Sequence, residues 1–167
     1  MIRVLGIDPG SRITGWGIID SDGRYSRHVA SGHIRVDRDA LPEKLGLIFR
    51  AVTAVIDDHQ PAEMAIEEVF VSRSAGSALK LGQARGAAIC AGVEQGLAVS
   101  EYSARFVKQA VVGSGAADKA QVQHMVGVLL NLKQTLQADA ADALAVALCH
   151  AHMRASRQRL ADAGGGR

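Results

Sequence analysis

The stretch LGIDPGSRITGWG, Leu5 to Gly17, decides the architecture. An apolar run from Arg3 to Asp8 reads as a short buried strand. It stops at Pro9-Gly10-Ser11, a turn signal, and a second extended run follows from Ile13 to Asp20, in which Gly15 and Gly17 alternate with larger residues. Ser21-Asp22-Gly23 then supplies a hairpin turn. A third run, Tyr25 to Val36, pairs back on the second, so the first 36 residues predict a three-stranded antiparallel start.

Beyond this start the pattern changes period. Leu41, Leu45, Ile48, Phe49, Val52, Val55 and Ile56 fall three or four apart, which is the stripe of an amphipathic helix, with Pro42 suited to its first turn. Pro61 breaks it before a strand over Met64 to Phe70. An Ala-rich and Gly-rich helix over Ser77 to Gln95 and a strand over Ala98 to Tyr102 follow. Ser103 caps a helix running to Val112, and two further helices are expected over Asp118 to Leu132 and Ala138 to Arg157. No repeat or linker divides the chain, and the order of strands and helices implies one α/β domain over residues 1–158, with residues 159–167 a disordered tail.

Composition bounds the function. The chain has 167 residues, 48% hydrophobic and 22% charged, enough for a real core and against disorder throughout. Cys90 and Cys149 stand alone, without the pairing that a disulfide scaffold or thiolate zinc site needs, so a reducing cytoplasmic setting fits. Met1 to Ile7 is cut short by Asp8-Pro9-Gly10 before a signal peptide's apolar core accumulates, and no apolar stretch is long enough to span a membrane. A net charge of +2 permits nucleic-acid binding without demanding it. Aromatic residues make up only 4%, so any nucleic acid would be held mainly by its backbone.

Four carboxylates occupy positions that burial normally excludes. Asp8 ends an apolar strand. In Ala65-Ile66-Glu67-Glu68-Val69, one of the two glutamates must share a face with Ala65 and Val69, and the residues alone leave the choice open. Asp139 and Asp142 are three apart on a helix and therefore neighbours. Buried acids cost several kcal/mol unless paired or bound to a cation, and no basic residue is spaced to satisfy all four. Mg²⁺ takes oxygen ligands of this type, and four carboxylates could hold two such ions. The same residues have plainer readings: Asp8 as a turn residue, either glutamate solvated on an edge, Asp139 as a partner for the helix dipole. Zinc fits poorly, because His150 and His152 diverge on one helix and His124 is isolated.

Five segments together resemble the RuvC crossover junction endodeoxyribonuclease family, on the RNase H-like fold. They are LGIDPGSRITGWG (Leu5 to Gly17), AIEEVF (Ala65 to Phe70), SALKLGQARG (Ser77 to Gly86), VKQAVVGSGAADKAQVQHMV (Val107 to Val126) and QADAADALAVA (Gln137 to Ala147). Trp16, where Tyr is frequent in the family, is a small departure. The resemblance implies a mixed sheet, three antiparallel strands and then parallel ones, flanked by helices. It implies Asp8, Glu67, Asp139 and Asp142 as a metal-binding catalytic tetrad, choosing Glu67 over Glu68. It places Lys108 and Lys119 at the cleft and presents Phe70 toward DNA. It implies a homodimer that nicks two opposed strands of a four-way junction in recombination and repair, with Mg²⁺ or Mn²⁺, beside a RuvA and RuvB branch-migration motor.

Phosphodiester hydrolysis on such a site leaves 5′-phosphate and 3′-hydroxyl ends, with Lys108 or Lys119 stabilising the scissile phosphate. Arg73, Lys80, Arg85, Arg105, Lys108 and Lys119 are the candidate backbone contacts, although each alone is an ordinary solvated charge. Gly82, Ala87 and Ala88 would let a second copy of the Ala-rich helix approach closely. Two rival readings remain. Asp8-Pro9-Gly10-Ser11 with Thr14-Gly15 is similar to the first phosphate turn of actin-like and sugar-kinase-like nucleotide-binding proteins, but no second half follows. A non-catalytic junction-binding protein is the other, if the acids are structural.

Overall fold

The computed structural model describes residues 1–36, 40–69 and 74–164. The antiparallel start forms as the turn signals require: β1 (Ile2–Asp8), β2 (Ile13–Ser21) and β3 (Ser26–Arg35). α1 (Leu41–His59) crosses over to β4 (Glu63–Glu67), and α2 (Ala75–Glu94) crosses to β5 (Ala98–Tyr102). α3 (Ala104–Val112), α4 (Lys119–Leu129) and α5 (Ala138–Gly164) complete the chain. The sheet order is β3-β2-β1-β4-β5, with β1 central, antiparallel to β2 and parallel to β4, and β4 parallel to β5. This is the mixed α/β sheet expected.

Period-2 alternation sorts each strand's side chains between two cores. Leu5, Ile7, Ile18, Met64 and Ile66 face α1 and α2, where they meet Ile48, Val52, Ala84 and Ala88. Val4, Ile19 and Ala65 face the other way, onto α5 with α3 and α4 packed around it. Asp8 and Glu67 continue this second face, one step beyond Ile7 and Ile66. α5 is buried almost all round in its middle, and Ala140, Ala141, Ala143, Ala145, Ala147 and Ala151 keep it narrow enough to be enclosed.

Two glycines let that helix lie directly on the sheet backbone. A Cβ on Gly6 would stand 2.1 Å from the Ala143 carbonyl oxygen, and one on Gly15 would stand 2.0 Å from that of Asp139. No side chain fits at either position.

Three boundaries differ from expectation. β4 ends at Glu67 rather than Phe70, and α4 ends at Leu129, ahead of Leu132. α5 continues to Gly164, so residues 159–164 are helical where a tail was expected, because alanines among them sustain the helix past Arg157. Ala88, expected at a contact between copies, is fully buried against the sheet, whereas Gly82 is exposed.

Candidate active site

The register brings the acids together. Ile7 pairs with Ile66 across β1 and β4, so Asp8 and Glu67 emerge level at the C-terminal ends of adjacent parallel strands, where α/β sheets generally bind ligands. Both are on the α5 face. Asp139 and Asp142 arrive in the first turns of α5, held against β2 by the missing side chain of Gly15. Glu67, the last residue of β4, shares the face of Ala65, which is the face that carries α5, whereas Glu68 lies beyond the strand end.

The electrostatics show four groups in one field. Burial, then the charges of Glu67 and Asp142, push the Asp8 carboxyl up to about 8, against the pull of Lys119, with Asp139 adding a smaller repulsion. Burial and Asp142 push Glu67 up to about 7, opposed by Lys108 and Lys119. Lys119 Nζ lies 2.5 Å from Asp142 Oδ2, and this hydrogen bond holds its ammonium charged. Lys119 is the first residue of α4, whose start is set by a reciprocal capping box between Asp118 and Gln121.

Two carboxyls kept near neutrality by burial and repulsion are a site short of positive charge. The donors are all oxygen, which fits a hard divalent cation. No three His, Cys, Asp or Glu side chains among the described residues are drawn to ligating distance of a common point. The acids are neighbours and do not form a closed cage.

The remaining candidates separate. Lys108, on α3, stands near Glu67 and Lys119 near Asp142, bracketing the acids. Arg105 is on the exposed side of α3 with its side chain over Gly115. Lys80 lines a cavity of about 470 Å³ between α1 and α2, together with Ser11, Lys44 and Leu79. Arg85 is turned inward: its Nε donates to the Glu67 carbonyl oxygen at 3.1 Å and its guanidinium pairs with Glu101. Phe70 and Arg73 lie outside the described residues. A larger cavity of about 680 Å³, along α4 and residues 131–136, includes none of the candidates in its lining.

His150 and His152 diverge as expected. His150 is buried and hydrogen-bonded to the Tyr102 hydroxyl at 2.9 Å and to Glu63 at 2.6 Å, whereas His152 faces the Ala110 carbonyl. Arg154 closes the group on Glu63 at 2.9 Å. This network and the inward turn of Arg85 were missed from sequence. The only signal was polar residues embedded in Ala-rich helices, flanking positions that are buried.

A model of the family "Crossover junction endodeoxyribonuclease RuvC" matches residues 4–150. The protein of that name from Marinobacter nauticus is 59% identical over 165 residues, covering 99% of this chain and 94% of the relative. Among solved structures, Thermus thermophilus RuvC in complex with Holliday junction substrate superposes with a TM-score of 0.89 at 34% identity, covering 94% of this chain and 97% of that one. The yeast mitochondrial Holliday junction resolvase Ydc2 shares the fold, with a TM-score of 0.67 at 11% identity over 95% of this chain and 83% of its own. No helix among the described residues is long and apolar enough to cross a membrane.

Proposed function

The chain belongs to the RuvC family of crossover junction endodeoxyribonucleases, and from that premise we propose that it resolves four-way DNA junctions at the Asp8, Glu67, Asp139 and Asp142 cluster. The observation that carries this reading is the convergence of four carboxylates from three separate segments on one end of the sheet, with Lys108 and Lys119, among the described residues, set against their charge.

Family members are divalent-metal-dependent nucleases, and the oxygen donors of the tetrad suit Mg²⁺, with Mn²⁺ as a substitute and up to two ions in each subunit. Such an ion supplies charge neutralisation at the scissile phosphate and a more acidic water. The protein's own part is geometry and field. β1 and β4 hold Asp8 and Glu67 level, and α5 sets Asp139 and Asp142 opposite them. Asp142 would help hold the cation, and Lys119, whose exposed ammonium pairs with Asp142, would then be free to meet the DNA phosphate. Lys108 acts from the Glu67 side.

The products would be 5′-phosphate and 3′-hydroxyl ends in paired, symmetric nicks, made by two copies of the chain related by a two-fold axis. Residues 1–158 form the nuclease unit, working in the cytoplasm with a RuvA and RuvB motor in recombination and repair. Lys80, Arg105, Lys108 and Lys119, with Phe70 and Arg73, are the proposed DNA contacts.

The test is a synthetic mobile junction incubated with the purified chain, with and without Mg²⁺, and mapping of the cuts. Paired nicks at symmetric positions, dependent on the metal, are expected. Unpaired cuts, or cutting without metal, overturn the reading. Sedimentation at micromolar concentration should give a dimer.

A further inference from the structure

The peptide unit that joins Glu67 to Glu68 is held at both ends from outside its own strand. Its carbonyl oxygen accepts a hydrogen bond from Arg85 Nε at 3.1 Å. Its N–H, that of Glu68, donates to the Tyr102 carbonyl oxygen at 2.8 Å. Pairing of β4 with β1 stops at Ile66, one residue short, so Glu67 has a strand partner on one side only, Tyr102 of β5. The guanidinium of Arg85, carried by α2, supplies a hydrogen bond to the strand end just after pairing with β1 has stopped.

The arrangement is specific to that guanidinium. Arg85 Nε goes to the carbonyl while a terminal nitrogen pairs with Glu101 on β5, so one planar group ties α2, the end of β4 and β5 together. Arg85 is only 18% exposed, against 60% for Lys119, and its donors point into the protein. It acts on the backbone of Glu67 and not on its carboxylate: the cations that oppose the upward push on Glu67 are Lys108 and Lys119.

We propose that Arg85 is a positioning residue for the Glu67 carboxylate, fixing the 67–68 peptide plane so that the side chain points at the cation site across from Asp142, and is not a DNA contact. Glu101 is its anchor. The proposal rests on Glu67 being one of the metal-binding acids. Partners that orient a metal ligand carry a characteristic cost when removed, roughly 10- to 100-fold in metal affinity or activity.

The experiment compares the full chain with its Arg85→Met, Arg85→Lys, Glu101→Gln and Glu67→Gln variants. Single-turnover cleavage of a four-way junction is followed across Mg²⁺ concentrations, and junction affinity is measured without Mg²⁺ across salt concentrations. Arg85→Met is expected to lose about 10- to 100-fold in cleavage at limiting Mg²⁺ and to recover part of it at high Mg²⁺. Its junction affinity should stay within about twofold, with an unchanged salt slope. Arg85→Lys, keeping the charge but only one nitrogen to share between the Glu67 carbonyl and Glu101, should restore part of the loss, and Glu101→Gln should show a smaller defect of the same kind.

Cleavage by Arg85→Met equal to wild type at every Mg²⁺ concentration overturns the proposal. So does weaker junction binding with a salt slope lower by about one, the mark of a lost phosphate contact. Should Arg85→Met fail to fold, Arg85→Lys and Glu101→Gln carry the same readouts, and an unchanged Mg²⁺ requirement in both overturns it. An active Glu67→Gln beside an impaired Arg85→Met removes Glu67 from the site and with it this role for Arg85, whereas an inactive Glu67→Gln beside a normal Arg85→Met sinks the positioning role alone.

Discussion

The two faces of the sheet are built from the same strands and behave oppositely. Toward α1 and α2, Leu5, Ile7, Met64 and Ile66 interlock with large aliphatic residues in an ordinary apolar core. Toward α5, the same strands offer Gly6, Ala65 and then the two acids, against a helix of alanines. Large side chains hold one layer off the sheet, and their absence draws the other layer onto it. A shift of one residue along β1 or β4 separates the apolar core from the proposed catalytic acids, so Ile7 and Asp8, or Ile66 and Glu67, answer different questions when changed.

The largest break in the comparison is at the acids. Asp8→Asn, Glu67→Gln or Asp142→Asn should lower cleavage of a four-way junction by roughly a thousandfold or more, with binding retained, as measured by single-turnover rates and gel shift. Stability should move the other way in metal-free buffer. The folded-state pKa of Asp8 is raised to about 8, so the folded chain holds a proton that the unfolded chain gives up. Stability therefore falls as pH rises from about 4 to about 8, and Asp8→Asn should melt higher than wild type near pH 8 without metal. Added Mg²⁺ should stabilise wild type more than the variant. A lower melting temperature for Asp8→Asn in metal-free buffer would show that the acids are not in strained proximity.

On the other face the signs reverse. Ile66→Ala should cost about 2–5 kcal/mol of unfolding free energy by denaturant titration, while the protein that remains folded cuts normally. Gly15→Ala links the faces, because its methyl meets the Asp139 carbonyl and moves the helix that carries two of the acids. It should cost about 1–3 kcal/mol and reduce cleavage as well. Loss of stability with full activity would mean that α5 shifts without disturbing the site.

The smallest effect is at the other end of β1 from Asp8. The hydrogen bond from Arg3 holds the Asp20 carboxyl down to about 2 despite its burial, with Arg27 adding a second. Its contribution is present above pH 4 and disappears as pH falls from about 4 toward 2, and because both arginine partners reach solvent it is at most about 1 kcal/mol. Asp20→Asn should flatten the acid limb of the stability curve by that amount and leave cleavage at neutral pH untouched.

Much of this was legible in the residues because each local signal agreed with the global one. The Pro9-Gly10-Ser11 turn, the stripe of α1 and the Ser103 cap each set an element whose core face then followed from alternation. Asp8, Asp139 and Asp142 stood out as acids in apolar company. Glu67 was different, since alternation alone left two candidates until the structure showed which face carries α5. Periodicity failed where the helices are made of Ala and Gly. Small residues suit a buried side and an exposed side equally, so the inward turn of Arg85 and the burial of Ala88 had no signature. The same alanines concealed the end of α5, because nothing in them stops a helix before the glycines at the terminus.

The contact between Gly15 and the Asp139 carbonyl has a dimensional consequence. The gap between the strand-borne and helix-borne acids is spanned by main chain on both sides, so its width is a constant of polypeptide thickness. A side chain added at Gly6 or Gly15 would meet a helix carbonyl oxygen 2.1 or 2.0 Å away, so it can enter only by lifting α5 bodily off the sheet and taking Asp139 and Asp142 with it.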